Sequence, residues 1–180
     1  MKKTLFTFAV LFLSFSVCSA APRSLVVYFS WSNAGNTRNL AKMIAAETKA
    51  DIEELLPIKP YPVKYQEVLR QGRRELEKNI AVPVRKLKKD WRNYDIIFVG
   101  SPIWFATYAP PVRTFLQKND LKGKKVLFFC THGRGGPGKF FKEAAALVPH
   151  AKTGKNFNCY AAHMKKISPE VKKWAAEVIK

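Results

Sequence analysis

Three short segments gather the side chains able to do chemistry. SWSNAGNT (30–37) stands between an apolar run and an amphipathic one. Ser30, Ser32, Asn33, Asn36 and Thr37 are neutral hydrogen-bonding groups, and Gly35 permits a tight turn. Free amides at a helix start attract anions. A helix cap needs one such side chain; five of them describe a phosphate cradle built without lysine.

GSPIWFATYAPP (100–111) crowds Trp104, Phe105 and Tyr108 where a buried run ends. Large aromatics there either plug the core or form a platform for a flat ligand. In THGRGGPGKFF (131–141), Gly133, Gly135, Gly136 and Gly138 allow backbone to approach a ligand edge closely. The last segment nearly matches the phosphate loop of nucleotide hydrolases, with Gly133, four residues, Gly138 and Lys139. Phe140 follows, however, and it has no hydroxyl for Mg²⁺. His132 has no Cys, His or carboxylate neighbour at metal-ligand spacing, so it reads as a hydrogen-bonding group and no metal is expected.

The segments must be held by the elements before and after them. SLVVYFS (24–30), DIIFVGS (95–101) and KVLFFCT (125–131) are near-continuous apolar runs, the pattern of strands buried on both faces. DIEELLPI (51–58) reads as an edge strand, and FNCYAAH (157–163) as a weaker one. Helical spacing marks 36–49, 110–118, 138–147 and 169–180, with another helix between Pro62 and Pro83. This alternation predicts a three-layer doubly wound α/β fold with a five-stranded parallel sheet. Such sheets bind ligands at the carboxyl ends of their strands, where the three segments lie.

Residues 1–20 have the form of a secretory signal: Lys2 and Lys3, an apolar stretch from Leu5 to Val17, and a small-residue cleavage site after Ala20. Its removal predicts an exported, periplasmic and soluble domain spanning 21–180. Cys130 and Cys159 then read as two buried free thiols, although an oxidising compartment permits a bridge between neighbouring strands.

Taken together, YFSWSNAGNTRNLA, PIKPYPVKY, YDIIFVGSPIWFATYAPPVRTFL and FFCTHGRGGPGKFFKEAAAL resemble the flavodoxin-like family over essentially the whole of 21–180. The resemblance implies the strand order 2-1-3-4-5 and noncovalently bound FMN. Ser30, Ser32, Asn33, Gly35, Asn36 and Thr37 would hold its phosphate. Pro102, Ile103, Trp104, Phe105 and Ala106 would flank the flavin ring, and Thr131, His132, Gly133, Gly135 and Gly136 would line its other edge. Many relatives run from SWS directly into GNT, so Asn33 and Ala34 are two extra residues in the cradle. The alternative is a scaffold of the cell envelope that keeps the fold without the cofactor.

The resemblance also implies electron transfer, or flavin-dependent reduction of a small acceptor such as a quinone. The flavin would supply the reactive atoms, and no catalytic acid or base is assigned. Typical family members are acidic; this chain carries a net charge of +19, or +17 without Lys2 and Lys3. Arg134, inside the glycine-rich segment, is expected to tune the flavin by favouring its reduced, anionic state. The positive field suits an acidic or membrane-associated redox partner. No nucleic-acid motif is present, and nucleic acid is not expected as a partner.

Overall fold

A computed structural model of the chain describes residues 21–179; the expected leader, 1–20, lies outside them. Strand β1 (Ser24–Tyr28) runs into helix α1 (Asn36–Thr48), followed by β2 (Asp51–Glu54) and α2 (Tyr65–Glu77). Next come β3 (Ile96–Trp104), the two-residue β4 (Thr107–Tyr108), α3 (Pro110–Lys118) and β5 (Lys125–His132). The chain ends with α4 (Phe140–Ala146), β6 (Lys152–Thr153), β7 (Phe157–Tyr160) and α5 (Ser168–Val178).

The parallel sheet has the order β2-β1-β3-β5, with β6 and β7 both on the far side of β5. Those two short strands share the place of one predicted strand, so the order 2-1-3-4-5 holds. They are separate because the chain gains one residue against β5. Lys125 and Val126 pair with Lys152 and Thr153, but Phe129 pairs with Phe157. At the break, the Phe128 amide donates to Asn156 Oδ1 at 3.1 Å, so a side chain satisfies a donor that the interrupted ladder leaves over. β4 is antiparallel and extends only the tip of β3.

Alternation along the strands divides the core. Val26, Phe98, Leu127 and Phe129 face α1 and α5, whereas Val27, Val99, Val126 and Phe128 face the layer containing Val112, Phe115 and Phe140. Cys130 and Cys159 belong to opposite faces, because Cys159 pairs in register with Thr131 rather than Cys130. They are free thiols, as expected; burial, its largest cause, pushes each above the ordinary thiol range. No helix among the described residues is long and apolar enough to cross a membrane.

Gly100 is required at the centre of the sheet, since a Cβ there would overlap the Phe129 ring. Gly100→Ala should cost about 1–3 kcal/mol by overpacking. The expected result is a lower urea midpoint with an unchanged slope; an unchanged midpoint would mean that Phe129 moves aside freely.

Candidate functional site

The parallel register brings the three polar loops out at one edge. Pro102 stands beside Thr131 on neighbouring strands, and the Phe29 amide, just beyond β1, reaches the Gly100 carbonyl at 3.1 Å. Helix α1 starts beside them without a side-chain cap among the described residues: Gly35 precedes it in the left-handed region (φ 60°) and makes no side-chain cap bond. A helix end is therefore open to an acceptor from outside the chain.

Asn33 and Ala34 do not open the cradle. The Gly35 amide donates to the Ser32 carbonyl at 2.9 Å, so the two extra residues form the corners of a closed turn. Both are exposed, and Asn39 Nδ2 holds the Ala34 carbonyl at 3.2 Å.

Thr37 and Thr131 tie the first loop to the third. Their hydroxyl oxygens lie 2.7 Å apart and both residues are buried, so the two share one hydrogen bond, in which one hydroxyl donates and the other accepts. Thr37 thereby sets the position of the α1 terminus over the end of β5.

A cavity of about 170 Å³ opens at this junction. Its lining includes Ser30, Ser32, Asn36, Thr37, Pro102, Ile103, Trp104, Thr131, His132 and Gly133. Sequence reasoning placed all of these in one site. Cβ atoms added at Gly133, Gly135 or Gly136 would meet nothing within 4 Å, so the backbone of the third loop is open along this flank. Gly135, Gly136 and Arg134 lie further along that loop, with Arg134 exposed.

Other predicted residues sit outside the cavity lining. Gly35 is buried under the start of α1, and Asn33 borders a neighbouring cavity. Phe105 and Ala106 form the exposed corner between β3 and β4, both with positive φ, at 49° and 64°. Such a two-residue turn matches the twist of a hairpin, but it is costly for a side chain as large as phenylalanine. Two contacts hold it: the Lys139 amide donates to the Ala106 carbonyl at 2.7 Å, and the Arg73 guanidinium lies 5.1 Å from the Phe105 ring centre. Gly138 permits the first, because a Cβ there would overlap Ala106.

Trp104 combines the two roles foreseen for the aromatics. Its indole packs edgewise on Phe29 (5.8 Å) and Tyr61 (5.1 Å), yet it also lines the cavity. Gly72 of α2 supports it, since a Cβ there would lie 2.9 Å from Trp104 Cε3. Beneath, the Tyr61 hydroxyl donates to the buried Glu75 carboxylate, which also receives Gln71 Nε2 at 2.7 Å. Burial first, and Glu75 second, raise the Tyr61 phenol above its ordinary range. Arg113 does not line the cavity: it is buried and donates to the carbonyls of Glu75 and Ile80.

His132 is held from both sides. Its Nδ1 meets the Gly133 carbonyl, its Nε2 lies 3.0 Å from Asn158 Oδ1, and its ring stacks on Tyr160. That arrangement fits the hydrogen-bonding role read from the sequence, and no metal-holding group of three ligands occurs among the described residues.

Trp31 and Ala161 are lining residues that sequence reasoning missed. Trp31 had a signal, as the one large side chain in an otherwise small and polar loop; its indole N–H donates to the Pro62 carbonyl at 3.0 Å. Ala161 had none, because it follows the end of a strand whose length the sequence overestimates.

The sequence profile of the flavodoxin family matches residues 23–178. The chain belongs to the flavodoxin family. A candidate flavoprotein of Bacteroides uniformis is 25% identical to this chain, with 87% of this chain and 99% of that one covered and a TM-score of 0.74. One of Bacteroides eggerthii is 21% identical, covering 88% and 99%, with a TM-score of 0.76. A flavoprotein of Lactobacillus acidophilus, solved in complex with FMN, is 22% identical over 81% of this chain and 98% of that one, with a TM-score of 0.65. No curated protein matches the chain.

The threonine pair can be tested by a double-mutant cycle on urea unfolding. Thr37→Val leaves the buried Thr131 hydroxyl without its partner and should cost about 1–3 kcal/mol. Adding Thr131→Val should recover part of that loss. Strict additivity of the two substitutions would show that the hydroxyls do not interact.

Proposed function

We propose that this protein binds FMN and serves as an electron carrier or as a flavin-dependent reductase of a small acceptor. The observation that carries the proposal is the meeting of an uncapped helix terminus with an unobstructed glycine edge, across a cavity lined by neutral donors. The donor set fits a phosphate ester. Two helix-start residues, Asn36 and Thr37, stand with Ser30 and Ser32 around one small space, and no carboxylate lines it. The complex of the Lactobacillus acidophilus relative with FMN supports the same ligand.

FMN, when bound, supplies electron transfer in single or paired steps. The chain would bind and orient it: Ser30, Ser32, Asn36 and Thr37 on the phosphate, Trp104 beside the ring, and the backbone of Thr131–Gly136 on the opposite edge. The closed turn formed by Asn33 and Ala34 favours an intact cradle over the cofactor-free alternative. Export with loss of residues 1–20, a periplasmic location and an acidic or membrane-associated redox partner are parts of the same proposal.

Adding FMN to the purified protein should quench flavin fluorescence with saturation at micromolar concentrations; absence of binding there would reject the redox function. Trp104→Ala should weaken the affinity, because the indole borders the cavity. An affinity equal to that of the parent would assign Trp104 to the core alone.

Arg134 provides an electrochemical test. A cation beside reduced flavin favours its negative charge, so Arg134→Ala should make the two-electron midpoint potential more negative, by some tens of millivolts at low salt. The difference should shrink as ionic strength rises. A potential unchanged by the substitution would remove Arg134 from the tuning of the cofactor.

A further inference from the structure

A second and larger cavity lies on the other side of the first loop, between residues 30–33 and the segment 54–63. Its volume is about 440 Å³, against about 170 Å³ for the cavity at the phosphate cradle. That volume is within the usual range of small-molecule sites, roughly 300–1,000 Å³. Ser30, Trp31 and Ser32 line both spaces, so the loop forms a shared wall.

We propose that this cavity is a binding site for a flat aromatic acid: a ring system carrying one carboxylate or sulfonate. The lining gives the ring its place: Phe29, Trp31 and Tyr61 supply aromatic surface, and Leu55, Pro57 and Pro60 supply aliphatic surface. Aromatic and proline surfaces of this kind favour planar apolar ligands. The cavity is also preformed. The Trp31 indole is bonded to the Pro62 carbonyl, Ile58 N–H to the Pro83 carbonyl at 2.9 Å, and Arg85 N–H to the Leu56 carbonyl at 2.8 Å. The segment is thereby fastened on both sides, and a ligand entering it need not first order the chain.

Charge decides the substituent. Three charged groups border the cavity, Arg38, Arg85 and Glu54, together with the neutral Tyr61 phenol. Glu54 is already engaged, accepting from Arg38 Nη2 at 2.9 Å and from the Tyr28 hydroxyl at 3.2 Å. Arg85 makes no ion pair among the described residues and is exposed at the cavity border. A carboxylate or sulfonate is the kind of group a guanidinium pairs with through two parallel hydrogen bonds. Leu56 and Val63 are apolar lining residues left 46% and 88% exposed, a state that a bound ring would relieve.

Anthraquinone-2-sulfonate is a suitable probe, titrated calorimetrically into the purified protein with and without saturating FMN. Saturable binding at one site is expected in both cases, weakening as salt is added. Arg85→Glu should weaken it at least tenfold and Leu56→Trp should abolish it by filling the cavity, while both variants bind FMN as the parent does. The proposal is overturned if the probe fails to saturate, if both variants bind it unchanged, or if FMN displaces it, since it would then occupy the cofactor cavity. Binding of the probe with this variant pattern in a protein that does not bind FMN would leave the second site standing and reject the cofactor reading instead.

Discussion

Burial of β1, β3 and β5 on both faces is the constraint from which the site follows. Leu25, Val26 and Val27, Ile97, Phe98 and Val99, and Val126 through Cys130 are wholly inaccessible. Such strands have no surface on which to carry polar chemistry, so it is displaced to their ends. Parallel pairing puts the carboxyl ends together, because Gly100, Ser101 and Pro102 advance in step with Phe129, Cys130 and Thr131. At that level the side chains change from apolar to hydroxyl. Ser101 Oγ accepts the Ala109 amide at 2.9 Å and donates to the Pro102 carbonyl at 2.8 Å, which turns the chain back toward α3.

The same constraint explains what was legible in the sequence. Strands buried on both faces write themselves as apolar runs, and the polar ends of those runs mark the site without further information. The helices at 36–48 and 110–118 were equally plain from their spacing. Features set by tertiary contact were not legible. The split between β6 and β7 depends on one residue of register and on the Asn156 side chain, neither of which alters the local pattern. The αL corner at Phe105 and Ala106 contradicts local preference, and nothing before it in the chain announces it. The role of Trp31 could be read only once Pro62, 31 residues away, was known to accept its N–H.

The positive charge acquires a structural sense when the acids are located. Asp51 pairs with Lys89, Glu54 with Arg38, Asp90 with Arg92 and Glu177 with Lys155, so several of the few acids are taken up locally. Hydrogen bonds from Tyr94 and then Lys89 hold the Asp51 carboxyl below the ordinary range. These pairs are exposed or half-exposed and contribute little to stability. Their larger effect is on the field, because each of these acids offsets the cation beside it. The third loop and the helix after it carry Arg134, Lys139 and Lys142 with Glu143 the one acid beside them, and Glu143 is engaged by the Thr107 hydroxyl. An anionic cofactor or partner would therefore meet a positive surface at this edge.

Preorganisation of that edge rests on contacts between loops rather than within them. The first joins the third through Thr37 and Thr131, the second joins the third through Ala106 and Lys139, and the first joins the second where Trp31 stands edgewise to Trp104 at 6.5 Å. Each link is weak by itself, but together they close a ring, so a displacement of one loop must be shared by the other two. The positive φ angles at Phe105 and Ala106 belong to the same arrangement. They cost about 1–3 kcal/mol each and place the Ala106 carbonyl where Lys139 N–H can reach it. A relaxed turn at those residues would give up that bond and, with it, the closure that lets three separate loops present a single surface.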